Sequence, residues 1–152
     1  MIPYGLRVEH LDHPLGIHTA VPRFSWRLPD GTARQEAYRI RTSNGWDTGR
    51  VVSERSLLIP YAGPALRSSE RVTWQVKAWP SGWSEPRWFE MGLLSPRDWT
   101  ARWIEPSEPL VRTTFTGRPS RLHITAHGIY EAFVNGVRVG DAELTPGFTG
   151  SA

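Results

Sequence analysis

The stretch that decides the fold is 71-RVTWQVKAW-79, in which polar and apolar residues alternate from Arg71 to Ala78. Its apolar positions are Val72, Trp74, Val76 and Ala78. The positions between them are Thr73, Gln75, Lys77 and Trp79. Because successive side chains of a strand point to opposite faces, this pattern predicts a strand with one buried face. A tight turn, 80-PSG-82, separates it from the next predicted strand, 87-RWFEM-91.

Similar short runs precede this stretch. In 23-RFSWRL-28, Phe24, Trp26 and Leu28 share a face, and Tyr38, Ile40 and Thr42 do the same further along. Further strands are predicted at three places: Leu6 to His10, Val51-Val52 and Leu57 to Ile59. About seven strand candidates separated by turns predict an antiparallel sandwich.

The chain changes character after 95-SPRDW-99, which is typical of a connector. Beyond it, Arg102 to Ile104 is a candidate strand, and Arg121 to His127 alternates strictly, with Leu122, Ile124 and Ala126 predicted to face inward. A strand over residues 129–134, the two-residue turn Asn135-Gly136 and a return strand over residues 137–139 predict a hairpin. The whole chain is therefore expected to be all-β.

Composition excludes several classes of protein. The net charge of +3 has no focus along the 152 residues, so the clustered basic stripe of a nucleic-acid-binding protein is missing. The absence of cysteine excludes disulfides and cysteine-based zinc sites. No secretory signal and no membrane-length apolar run occurs, which indicates a cytoplasmic protein without a membrane partner.

No catalytic residues are predicted within the chain. Glycoside hydrolysis needs two convergent carboxyl groups, and spacing singles out no pair of acidic residues here. The cluster 10-HLDH-13 is interpreted as a polar loop because no further metal ligands converge on it. His123 and His127 would lie about 13 Å apart on a strand, too far to share an ion.

The eight tryptophans allow two interpretations. Trp26 and Trp74 are predicted to be core residues, because they occupy the apolar faces of strands. Trp79 and Trp83 are candidates for stacking on a sugar, although packing is a competing explanation for both. Lys77 and the nearby Arg87 are candidate cation–π partners.

An ordered series of motifs runs through the chain: 14-PLGI-17, 22-PRFSWRL-28, 46-WDTGRV-51, 74-WQVKAW-79, 83-WSEP-86, 134-VNGVRVGD-141 and 144-LTPGFT-149. The series resembles the N-terminal region of bacterial α-L-rhamnosidases, family 78 of the glycoside hydrolases. The resemblance implies a fibronectin-type-III or immunoglobulin-like sandwich over residues 5–92 and a linker over residues 93–99. It also implies that residues 100–152 begin a second, jelly-roll-like sandwich, the rhamnosidase N-terminal β-domain.

The resemblance implies a non-catalytic, accessory role. Enzymes of this family hydrolyse terminal α-L-rhamnose. Their acidic catalytic residues lie in a downstream barrel domain, and no part of this sequence resembles that domain. The expected partners of this chain are therefore the catalytic domains of the enzyme. Two alternatives stay open: a module that binds rhamnose or a rhamnosylated glycan, and a free-standing fibronectin-type interaction domain. Because the second domain binds calcium in some relatives, the oxygen-bearing residues Asn135, Asp141 and Glu143 are candidate calcium ligands.

Overall fold

Strands and one short 3-10 helix form the regular structure of the residues that this computed structural model describes, 2–31, 34–118 and 121–146. The strands of the first region are β1 (Tyr4–Val8), β2 (Arg23–Arg27), β3 (Ala37–Thr42), β4 (Val51–Val52), β5 (Ile59–Pro60), β6 (Arg71–Trp79) and β7 (Arg87–Glu90). The 3-10 helix (Pro96–Asp98) follows, and β8 (Phe133–Val134) and β9 (Val137–Arg138) come last. The chain divides into two compact units, Met1–Trp103 and Ile104–Ala152.

The first unit contains two antiparallel sheets. One has the strand order β1-β2-β5, and the other has the order β4-β3-β6-β7. The longest pairing joins β3 to β6, from Ala37 opposite Trp79 to Thr42 opposite Trp74. Side chains from both sheets meet in one hydrophobic cluster, so the sheets pack face to face. The predicted all-β sandwich is confirmed.

Strand β6 contributes the middle of the core. Its four apolar residues are buried as the alternation predicts, and Trp74 and Trp26 are each only 1% exposed. The ring of Phe24 on β2 lies 4.5 Å from that of Trp74 and 5.7 Å from that of Phe89, in edge-to-face contacts between the sheets. The core assignment of Trp26 and Trp74 is therefore confirmed.

The segment between β1 and β2 leaves the three-stranded sheet and runs beside β7. Ile17 forms a parallel bridge with Met91 and donates a backbone hydrogen bond of 3.0 Å to the carbonyl oxygen of Glu90. Gly92 returns a bond of 2.8 Å to the carbonyl of Ile17. The N-terminal segment thus contributes to both sheets.

Two strand limits differ from the predictions. β1 ends at Val8, because Glu9 and His10 adopt positive φ angles of 49° and 68° and turn the chain. Leu58, at a φ of 53°, likewise interrupts the run that was expected to be a strand from Leu57, and β5 begins only at Ile59.

The second unit has less regular structure than predicted. Asn135 and Gly136 have φ angles of 51° and 80°, the geometry of a tight two-residue hairpin turn, and they join β8 to β9 as expected. The predicted strands at 102–104 and 121–127 do not form, and Leu122 and Ile124 are exposed rather than inward. Within the described residues, the β8–β9 hairpin is the only sheet of the second unit. Residues 147–152 lie outside the described residues.

Candidate functional site

The outer face of the four-stranded sheet contains three partly exposed indoles, those of Trp79, Trp83 and Trp88. The polar positions of β6 lie on this face because the apolar ones face the core. Each indole has at least one positively charged side chain over its ring. We call this surface the indole face.

Trp79 lies at the end of β6 and has two cations over its ring. The Lys77 Nζ is 4.8 Å from the ring centroid, and the Arg50 guanidinium carbon is 5.2 Å from it. Neither cation has a carboxylate partner among the described residues. The contact between Lys77 and the ring of Trp79 confirms the predicted cation–π role of Lys77.

Trp83 contacts a cation whose charge is neutralised. The guanidinium carbon of Arg41 lies 4.6 Å from the ring centroid, and the Nε of Arg41 lies 3.2 Å from an Asp47 oxygen. Asp47 also accepts two hydrogen bonds from Arg39, of 2.8 and 2.7 Å, and one of 2.9 Å from the amide of Gly49. The hydrogen bonds from Arg39 hold the pKa of the Asp47 carboxyl well below its usual range.

The cation over Trp88 is also paired with a carboxylate. The Arg71 guanidinium carbon lies 4.2 Å from the ring centroid of Trp88, and the Nε of Arg71 donates a hydrogen bond of 3.0 Å to Glu90. The ring of His13 packs against the same indole with 5.2 Å between centroids. Arg87, predicted as a cation–π partner, is not among the cations over these rings.

The turn that carries Trp83 is tied to β6 by hydrogen bonds. The Val76 amide donates to the Oγ of Ser84 at 3.1 Å, and the Ser84 amide donates to the carbonyl of Val76 at 2.8 Å. The Gln75 side chain donates to the carbonyl of Ser84 at 2.9 Å. These bonds hold Trp83 beside Lys77, with which it forms an antiparallel bridge.

A shallow depression of about 540 Å³ opens on the sandwich beside Asp47. It is lined by Tyr38, Trp46, Asp47, Thr48, Arg55, Ile59, Pro60 and Ala62. Asp47 is the one carboxylate in this lining, and its low pKa keeps it ionised. A glycosidase site pairs a protonated acid with a second carboxylate, so this lining does not provide one.

The remaining sequence candidates are dispersed. The Nδ1 of His13 lies 2.9 Å from a carboxylate oxygen of Asp12, and Glu143 accepts a hydrogen bond of 2.9 Å from Arg138. Asn135 occupies the hairpin turn, and Asp141 follows β9. The described residues contain no group of three or more histidine or acidic side chains that could share a metal ion. The calcium ligands stay a prediction.

The structure also shows roles that the sequence analysis missed. Alternation places Arg41 and Arg71 on the outer face, yet which indole each arginine covers depends on strand pairing. Arg50 precedes β4, and only the folded sheet brings it to Trp79. In the described ranges, no helix has the length and apolar composition needed to cross a bilayer.

Two family models match the chain. Residues 3–95 match the model described as the Rha78A-like, N-terminal immunoglobulin domain. Residues 117–151 match the model described as the alpha-L-rhamnosidase N-terminal domain. The first match covers the whole seven-stranded sandwich.

Curated relatives and solved structures agree with these matches. An alpha-L-rhamnosidase of Streptomyces avermitilis is 40% identical over 119 residues, covering 68% of this chain and 12% of the relative. One of Formosa agariphila is 34% identical over 178 residues, covering 93% and 19%. The structure of alpha-L-rhamnosidase from Dictyoglumus thermophilum superposes with a TM-score of 0.79 at 28% identity, over 98% of this chain and 22% of that one. The chain thus spans about an eighth to a fifth of the curated relatives it matches.

Proposed function

Because this chain belongs to the α-L-rhamnosidase family and matches its N-terminal region, we propose that it forms the non-catalytic N-terminal portion of such an enzyme. The supporting observation is the family match over residues 3–95, which coincides with a sandwich closed around a single core. The hydrolysis of terminal α-L-rhamnose then belongs to the remainder of the enzyme, which is the partner of this region.

We propose that the chain is divided into domains at the positions predicted from the sequence. Residues 5–92 form the immunoglobulin-like domain, residues 93–99 are the linker, and residues 100–152 begin the rhamnosidase N-terminal β-domain. The second family match, over residues 117–151, and the division into two compact units support a chain of two parts; the unit boundary, after Trp103, lies four residues beyond the proposed linker.

The proposed role of the sandwich is to support the catalytic part mechanically. Packed aromatic rings such as Phe24 and Trp74 give the sandwich a rigid core, and rigid elements position neighbouring domains better than loops do. The one acidic residue of the surface depression, Asp47, is already held by two arginines. These observations favour support over bond cleavage.

A chimaera tests the proposal. In the Streptomyces avermitilis enzyme, the aligned N-terminal region is replaced by the matching residues of this chain. We expect turnover of p-nitrophenyl α-L-rhamnoside and a thermal midpoint close to those of the parent enzyme, because an accessory domain of the same fold presents equivalent surfaces. The chain alone is expected to show no turnover.

The matched control is the same chimaera with Phe24→Ala. Removing this buried ring costs about 3–5 kcal/mol of folding free energy, so the control is expected to lose soluble yield and thermal stability. An intact chimaera as unstable or inactive as this control contradicts the proposal. So does rhamnoside hydrolysis by the chain alone.

A further inference from the structure

The three indoles of the indole face differ in the charge around them. Arg41, over Trp83, is paired with Asp47, and Arg71, over Trp88, is paired with Glu90. The two cations over Trp79 have no such partner among the described residues. Trp79 therefore lies in the part of this face where positive charge is not neutralised locally.

Lys77 and Arg50 bring their charges close together. Both lie about 5 Å from the same ring centroid, so the two charges are no more than about 10 Å apart. At that separation like charges repel, and an anion placed between them is attracted by both. Asp47 is the nearby carboxylate, and it is paired with Arg39 and Arg41. It therefore does not neutralise the charges of Lys77 and Arg50.

We propose that Trp79, Lys77 and Arg50 form a binding site for a carboxylate-bearing sugar, a hexuronate unit of a glycan. The flat indole provides an apolar surface on which one C–H face of a pyranose ring packs. The two cations provide charge-assisted hydrogen bonds to the carboxylate at C6. A neutral sugar gains the stacking contact alone, so the site selects for the acidic one.

The cations can change partner when the ligand arrives. Both side chains are long and flexible, and their charged ends lie over the indole through weak cation–π contacts. A hydrogen bond between two charged groups is stronger than such an exposed contact. Lys77 and Arg50 can therefore move to the carboxylate and leave a ring face of Trp79 open to the sugar.

Two sugars that differ only at C6 test the site: methyl α-D-galactopyranosiduronate and methyl α-D-galactopyranoside. The full chain, labelled with nitrogen-15, is titrated with each, and the indole Nε1–H resonance of Trp79 is followed after assignment with Trp79→Phe. We expect a saturable shift with the uronate and little shift with the neutral sugar. Added salt should weaken the response, because the charges are exposed.

Variants identify the residues involved. Arg50→Gln and Lys77→Gln are each expected to weaken uronate binding by about fivefold or more, as the loss of one charge-assisted hydrogen bond implies. Arg67→Gln is the matched control, because it removes one exposed charge at a position outside the indole face. It should leave the affinity unchanged.

Several outcomes overturn the site: no response, an equal response to both sugars, or an equal response to sodium acetate. A shift caused by a glutamate oligomer but not by the uronate also overturns it, since the partner would then be an acidic protein segment. The test uses this chain and free ligands, so its failure leaves the accessory role in a rhamnosidase untouched.

Discussion

The indole Nε1–H of Trp26 donates a 2.9 Å hydrogen bond to the side-chain oxygen of Gln35, and both residues are buried. The amide nitrogen of Gln35 donates in turn to the carbonyl oxygens of Ser53 and Arg55, at 3.0 and 2.9 Å. One glutamine thus fixes a core indole and the segment between β4 and β5. Because a buried polar group without a partner is costly, this network ties the core to that segment.

Gln35→Leu should lower the free energy of unfolding by about 2 kcal/mol, because it leaves the Trp26 indole donor buried without a partner. Urea unfolding followed by tryptophan fluorescence measures this loss. All eight tryptophans lie in the first compact unit, so the signal reports on the sandwich.

A double-mutant cycle with Trp26→Phe separates the hydrogen bond from general packing. We expect the two substitutions to be non-additive by about 0.5 kcal/mol or more, as for residues in direct contact. Additive losses would show that the bond contributes no coupling.

Gly63→Ala should destabilise the sandwich by about 1–3 kcal/mol. A Cβ at this position would lie 2.5 Å from the Tyr61 hydroxyl oxygen and 2.6 Å from the Cβ of Trp46. The Tyr61 hydroxyl cannot move freely, because it donates to the carbonyl of Pro64 and accepts from Asn44, both at 2.8 Å. Gly82→Ala is the matched control, because its Cβ would meet nothing closer than 3.5 Å. Equal thermal midpoints for the two variants would refute the clash.

Acid should remove the contribution of Asp47 to stability. Its pKa is held below the usual range by hydrogen bonds from Arg39. The folded state therefore gains stability above the ordinary aspartate pKa of about 3.9, and loses it as the pH falls toward the lowered value. Because the side chain is 35% exposed, solvent screening limits the effect to less than about 1 kcal/mol.

The measurement compares the wild type with Asp47→Asn in urea at several pH values. The wild type should be the more stable protein at pH 7, and the difference should shrink between about pH 4 and pH 2. Asp30→Asn, at an exposed position without an ion-pair partner in the described part of the chain, is the control. A gap at pH 2 as large as the gap at pH 7 would contradict the assignment.

Hydrogen exchange should distinguish the two units. The amides of Ile40 and Val76 lie in paired central strands and should exchange slowly. The amides of residues 121–127, which form no strand here, should exchange close to the rate of an unfolded chain. Strong protection at Leu122 and Ile124 would instead support the strand that the alternation predicts.

The sequence predicted the sandwich well because its signal is local. Alternation in β6 assigns Trp74 to the core and Lys77 to the outer face, and the structure places both there. The same alternation at Leu122 and Ile124 failed. A strand needs a neighbouring strand and a layer to cover it, and neither requirement is visible in the pattern of one segment.

The candidate site could also be predicted only in part from the sequence. Trp79 and Lys77 lie two residues apart on one strand, so their proximity follows from the strand period. Arg50 reaches the same indole only because β4 pairs with β3 and β3 pairs with β6. Such pairing joins residues far apart in sequence, and it cannot be predicted from the residue pattern of either segment alone.

The parallel bridge between Ile17 and Met91 covers the end of one outer strand, β7. Exposed backbone on an outermost strand is a template for other chains, which is one route to fibrils. At the C-terminal end of β7, the amide and carbonyl of Glu90 are already occupied by the N-terminal segment, through Pro14, Gly16 and Ile17. Versions that start after residue 20 would uncover Glu90 and would also lose β1, which leaves β2 as an open edge. Trimming the N-terminus should therefore make the domain associate with itself.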